Sequence, residues 1–122
     1  MSPTQQTIFI IDDDASVRRA LRRLIRSVGL NVVTFATAED FLQSPEQPVP
    51  DCLLLDVHLP GLSGFELQER LTAEGRSIPI VFITAYENDP AGARAVQAGA
   101  VAFLKKPFEE QSLLDAVARA LA

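Results

Sequence analysis

The sequence predicts a doubly wound α/β domain, and three observations carry that prediction. Five short apolar runs, at residues 7–11, 31–35, 52–55, 80–83 and 101–104, recur along the chain with a helix-forming stretch after each. Most of these runs are continuously apolar, the pattern of strands buried on both faces of a parallel sheet, whereas a half-exposed sheet would alternate. Parallel strands joined by helices require right-handed crossovers, so helices cover both faces. The expected sheet has five parallel strands in the common order 2-1-3-4-5.

Each element has its own local signals. After the first run, Val17, Ala20, Leu21, Leu24, Ile25 and Val28 recur at the spacing of one helix face, and Gly29 supplies the stop. After the second, Thr37 and Asp40 have capping-box spacing. Pro45, Pro48 and Pro50 mark residues 44–51 as a surface connection. Beyond the third run, Ser63 and Glu66 repeat the capping-box spacing, and Gly75 ends that helix. The fourth run is followed by Asp89-Pro90, a cap before a first-turn proline, and by Gly99 as the matching end. The last helix runs from about Glu109, with Leu113, Leu114, Val117, Ala118 and Leu121 expected on its buried face.

Composition agrees with one such unit spanning residues 1–122. The chain is 48% hydrophobic and 22% charged, ordinary for a single globular domain, and a chain this long holds a core without disulfides. The lone Cys52 cannot form an internal bridge, which fits a reducing compartment. No apolar run approaches the roughly 20 residues of a membrane span, and residues 1–6 lack the start of a signal peptide. A cytoplasmic protein is therefore expected. Its net charge of -5 argues against nucleic-acid binding by this domain, which would need a basic footprint.

Four of the five runs end in groups suited to phosphate or metal chemistry: Asp12-Asp13-Asp14, Asp56, Thr84 and Lys105-Lys106. Ligands of open α/β sheets bind beyond the carboxyl ends of the strands, where strand order reverses. In the expected order that point lies between the first and third strands, about 4.8 Å apart, so Asp12, Asp13 and Asp56 should converge. Two carboxylates 4 Å apart repel by about 4 kcal/mol at an effective dielectric near 20, and a cation relieves this. One or two carboxylates with a backbone oxygen, waters and a phosphate suit Mg²⁺, and no Cys/His cluster suggests zinc. A carboxylate beside Mg²⁺, a hydroxyl and a fixed ammonium are the parts phosphoryl transfer uses, with an aspartyl phosphate as the product.

These residues resemble one family over essentially the whole chain: IFIIDDD, LLLDVHLPGLSGFEL, IVFITAY and GAVAFLKKPF match, in order, the receiver domains of two-component response regulators. The DVHLPGLSG stretch is most similar to the FixJ-like group, whose receivers usually precede a DNA-binding domain. The resemblance implies a flavodoxin-like (βα)5 fold and a signalling phosphoacceptor, not a conventional enzyme, which catalyses its own phosphorylation and slow dephosphorylation. It implies Asp56 as phosphoacceptor, Asp13 as a direct Mg²⁺ ligand, Asp12 as a ligand through water, and the His58 backbone carbonyl as a further ligand. Thr84 and Phe103 would form the coupled switch, with Phe103 standing where many members have tyrosine. Lys106 would contact the phosphoryl group, and the Lys106–Pro107 peptide would be cis.

The implied partner is a sensor histidine kinase. Phosphorylation would rearrange the face formed by residues 89–97, 101–104 and the last helix, through which family members commonly dimerise, and the implied output is transcription. Any effector domain would lie beyond Ala122. Asp14 has no assigned role, the His58 side chain is read as a bystander, and Tyr86, near where members of the family vary phosphoryl lifetime, is either a tuning residue or a simply exposed side chain. Arg18, Arg19, Arg22, Arg23 and Arg26 form either a solvated helix face or a kinase-docking surface.

Two readings from other classes compete. An Asp-x-Asp after the first apolar run superficially suits a Mg²⁺-dependent phosphohydrolase of the haloacid dehalogenase type, but the expected Gly-Thr is absent and Asp56 would be idle. A constitutive interaction module would leave the residue set unused.

Overall fold

A computed structural model describes residues 6–45, 49–85 and 99–122. The expected helix over residues 89–97, with its Asp89-Pro90 start, lies outside the described residues, as do Tyr86 and Pro48.

The strands are β1 (Thr7–Ile11), β2 (Asn31–Phe35), β3 (Cys52–Asp56), β4 (Ile80–Thr84) and β5 (Ala102–Lys105), all parallel and ordered β2-β1-β3-β4-β5. Every residue of β1, β3 and β4 is buried, while β2 and β5 are only partly covered. The continuously apolar runs thus occupy the sheet centre. Between them lie α1 (Ala15–Ser27), α2 (Ala38–Leu42) and α3 (Gly64–Ala73), and a C-terminal helix (Glu110–Leu121) closes the chain.

The helix starts follow their caps. Thr37 Oγ1 accepts the Asp40 amide at 3.0 Å. Ser63 and Glu66 form a complete capping box, each side chain accepting the other's amide at 3.1 Å. Gly29 and Gly75 follow α1 and α3 with φ of 86° and 71°, the left-handed conformation that closes a helix and that glycine adopts without strain.

One core face packs α2 and α3 against the sheet, with Phe9, Ile11, Phe41, Leu53, Leu67 and Phe82 buried. The other packs α1 and the C-terminal helix against Ile8, Ile10, Leu54, Val81 and Ile83.

Helix faces are narrower than the periodicity predicts. In α1 Leu21 and Ile25 are buried, but Ala20 is exposed and Val28, the residue capping the helix, is 51% exposed. In the C-terminal helix the buried seam is Leu113, Ala116, Val117 and Ala120, so Ala118 faces solvent. Apolar residues fit several offsets of a 3.6-residue period, and packing against the strands selects one.

Candidate functional site

The site forms at the carboxyl end of the sheet from four strand ends. At β1, Asp12 is 1% exposed and its amide bonds the Phe35 carbonyl at 3.1 Å. The chain then turns into α1 because Asp14 caps that helix, its Oδ1 accepting the Ser16 and Val17 amides at 2.8 and 3.3 Å. The same turn carries the Asp14 amide to Asp12 Oδ1 at 2.9 Å. The residue left without a role by sequence therefore has two: its side chain caps α1, and its backbone amide holds the Asp12 carboxylate. From the first turn of α1, Arg18 Nη1 donates to the Asp12 carbonyl at 2.8 Å, so this arginine is not simply solvated.

Asp56 ends β3 and is buried, its Oδ1 accepting the His58 amide at 3.2 Å. Asp12 and Asp56 come from neighbouring strands, and Asp13 stands exposed beside them. The ligand oxygens of the three lie within 4.8 Å of one another. Opposite ligands of a Mg²⁺ ion at about 2.1 Å stand about 4.2 Å apart, so this all-oxygen set fits one ion after small side-chain movement or with one ligand acting through water.

Lys106 follows β5, its backbone amide bonded to the Thr84 carbonyl at 2.6 Å. Its Nζ lies 2.8 Å from Asp12 Oδ2 and 3.5 Å from Asp56 Oδ2. The following Lys106–Pro107 bond is cis. Lys105, one residue earlier, is exposed. Thr84 is fully buried at the end of β4. Phe82 pairs with Phe103 and Thr84 with Lys105 across β4 and β5, so Thr84, Phe82 and Phe103 share a sheet face by the two-residue strand period. The Phe103 ring is half-buried, stacked on Phe65 with centroids 6.4 Å apart and tilted against Phe82 at 6.1 Å.

The electrostatics follow from this crowding. Burial, and then the charge of Asp12, push the Asp56 carboxyl above the usual carboxylate range, with Asp13 adding to the rise and Lys106 and the His58 amide opposing it. Burial works to lower the Lys106 ammonium, but its hydrogen bond and charge pairing with Asp12, reinforced by Asp56, raise it overall. Lys106 is thus a fixed cation balancing acids that repel one another.

Close approach of the backbone completes the site. A Cβ on Gly64 would collide with the Asp56 carbonyl and stand 3.0 Å from Val57 Cα, and the Gly64 amide bonds the Val57 carbonyl at 2.9 Å. The start of α3 therefore rests directly on the chain carrying Asp56, and the GLSG segment is its sequence trace. Glu39, at the start of α2, also reaches this loop, its Oε2 accepting the Leu62 amide at 2.9 Å. No sequence signal announces that contact.

Fold and site define a phosphoacceptor module, and the chain belongs to the response regulator receiver domain family, whose model matches residues 8–118. Nodulation protein W of Bradyrhizobium diazoefficiens is 50% identical over 117 residues, covering 96% of this chain and 52% of that protein. The solved structure of response regulator StyR has a TM-score of 0.88 and 52% identity, covering 97% of this chain and 60% of that one. Full-length FixJ from B. japonicum has a TM-score of 0.84 and 37% identity, with the same coverage. The chain spans about half the length of the curated relatives it matches. Among the described residues no helix is long and apolar enough to cross a membrane.

Proposed function

We propose that Asp56 accepts a phosphoryl group from the phosphohistidine of a sensor histidine kinase, and that this modification controls an output, most simply transcription. The observation that carries the reading is the convergence of three carboxylates within 4.8 Å of one another at the sheet's carboxyl end, two of them, Asp12 and Asp56, paired with the Lys106 ammonium. In the transfer an Asp56 carboxylate oxygen bonds to phosphorus as the phosphorus–nitrogen bond to the kinase histidine breaks. Lys106 supplies a positive charge beside the oxygens where negative charge gathers.

Asp13, Asp56 and the His58 carbonyl would hold Mg²⁺, with Asp12 acting through water; the ion supplies charge neutralisation for the phosphoryl oxygens. The buried Thr84 hydroxyl would be drawn toward the modified Asp56, and the half-buried Phe103 ring would turn inward behind it. That movement shifts an existing equilibrium between two arrangements of the surface around β5, which serves as a homodimer face. A DNA-binding effector domain, where attached, would read that change.

Intact mass measured early after incubation with a small acyl phosphate, with and without Mg²⁺, tests the reading. The expected result is a Mg²⁺-dependent gain of one phosphoryl group that is lost in Asp56→Asn. No gain by the folded, Mg²⁺-bound wild type, or a gain that survives in Asp56→Asn, would overturn it.

A further inference from the structure

The loop from Asp56 to α3 is held at both ends by its neighbours in the chain and in the sheet. At its start, the Val57 amide bonds the Ile83 carbonyl of β4 at 3.0 Å, and the His58 amide turns back onto Asp56 Oδ1 at 3.2 Å. At its end stand the capping box of Ser63 and Glu66 and the Gly64 amide on the Val57 carbonyl. Just before that end, the Leu62 amide is bonded from a different element, by Glu39 Oε2 at 2.9 Å, 23 residues away in sequence.

The glycine beside this contact is shaped to it. Gly61 has a φ of 71°, and a Cβ there would collide with Glu39 Oε2 and lie 3.2 Å from Glu39 Cδ. A side chain at residue 61 would therefore displace the carboxylate from the loop. The bond and the missing Cβ are separate observations that agree. The Leu62 amide is also the leading cause holding the Glu39 carboxyl below the usual range, so the acceptor is ionised across physiological pH.

We infer that Glu39 is a positioning residue for the cation site: through the Leu62 amide it latches the Asp56–α3 loop from α2, and so holds the His58 carbonyl where a Mg²⁺ ion would use it. The inference rests on the receiver reading of that carbonyl and adds a residue outside the motif-bearing strand ends. The glutamate itself touches neither phosphoryl group nor ion. Its effect is to narrow the set of loop conformations, which lowers the ordering cost of binding.

Calorimetric Mg²⁺ titration of wild type, Glu39→Ala and Glu39→Gln tests this, together with amide hydrogen exchange at Leu62. Glu39→Ala is expected to weaken Mg²⁺ binding roughly fivefold, the weight of about one net hydrogen bond, and to accelerate exchange at Leu62. Glu39→Gln keeps an acceptor oxygen while removing the charge, so it restores most of both. Phosphorylation by a small donor should be slowed in Glu39→Ala at low Mg²⁺ and recover at saturating Mg²⁺.

Equal Mg²⁺ affinity in wild type and Glu39→Ala would overturn the latch and leave the receiver reading standing. So would a Glu39→Gln variant as weak as Glu39→Ala, since long-range charge would then be the cause. A wild type that takes up no Mg²⁺ would overturn the receiver reading and the latch with it. As a second variant, Gly61→Ala should lower affinity in the wild-type background and lower it less once Glu39 is alanine; equal losses in both backgrounds would count against the contact.

Discussion

Both faces of the sheet carry aliphatic side chains, and they differ in their aromatic content. On the face covered by α2 and α3 lie Phe9, Phe35, Phe41, Phe65, Phe82 and Phe103, six of the chain's seven phenylalanines. On the face covered by α1 and the C-terminal helix, the buried core among the described residues is aliphatic but for Cys52, with the partly buried Phe108 packed against it, and Ala116 and Ala120 leave room for that helix to approach. Branched aliphatic side chains interlock, and moving one requires its neighbours to move. Ring pairs here meet at centroid separations from 5.1 to 6.4 Å and angles from 10° to 88°, and several such geometries are of similar energy. The aliphatic face is suited to hold the sheet, and the aromatic face, which carries Thr84 and Phe103, is suited to rearrange.

The largest effect expected from this contrast is on the aliphatic side. Leu113→Ala should cost about 2–5 kcal/mol in urea unfolding, yet leave phosphoryl uptake per folded molecule unchanged. If uptake fell as steeply as stability, the division between the faces would be broken. Gly64→Ala should cost about 1–3 kcal/mol, because backbone must shift beside Asp56, and should also slow phosphorylation by a small donor. A stability loss with no change in rate would show that the close approach matters only for folding.

Phe103→Ala removes a half-buried ring, so its cost should be smaller, about 1 kcal/mol. Its expected signature lies elsewhere: Asp56 still takes up the phosphoryl group, but amide shifts around β5 no longer follow it. Unchanged shifts relative to phosphorylated wild type would remove Phe103 from the switch.

Asp56→Asn gives a subtler effect, with a definite sign. The folded-state pKa of Asp56 lies above its ordinary value, so the native state binds the proton more tightly and stability falls as pH rises through that raised pKa. In metal-free buffer at neutral pH, Asp56→Asn should therefore melt a few degrees higher than wild type. The gap should close as pH drops through the raised pKa toward the ordinary carboxylate value. A variant less stable than wild type at neutral pH would contradict the destabilisation of the Asp56 carboxylate by burial and by its acidic neighbours.

The smallest stability change is expected on the exposed side of α1. Arg22→Glu with Arg23→Glu should shift stability by about 0.5 kcal/mol or less and leave small-donor phosphorylation intact, while slowing transfer from a kinase that docks there. Equal loss from both donors would exclude docking as the role of these arginines.

Much of this molecule was legible in its sequence because the signals are local or periodic. Continuous apolar runs announced buried parallel strands, and the abrupt polar residues after them marked the sheet end where Asp12, Asp13, Asp56, Thr84 and Lys106 stand. The caps at Thr37 and Ser63 were readable for the same reason, since donor and acceptor lie three residues apart. Asp14 was not, because an acid beside two site acids looks like a third ligand until the chain is seen turning into α1.

What the sequence alone determined is the order of elements, the burial of the central strands and the chemistry gathered at their ends, all encoded within a few residues of one another. Tertiary structure decided which alanines of the C-terminal helix face inward, why Val28 does not, that Arg18 grips the Asp12 carbonyl, and that Glu39 reaches the Asp56 loop. Each of these depends on where a second element lies in space. A contact between residues 23 apart, like the pairing of Lys106 with Asp12 across 94, has its partner and distance set only when the sheet and helices pack.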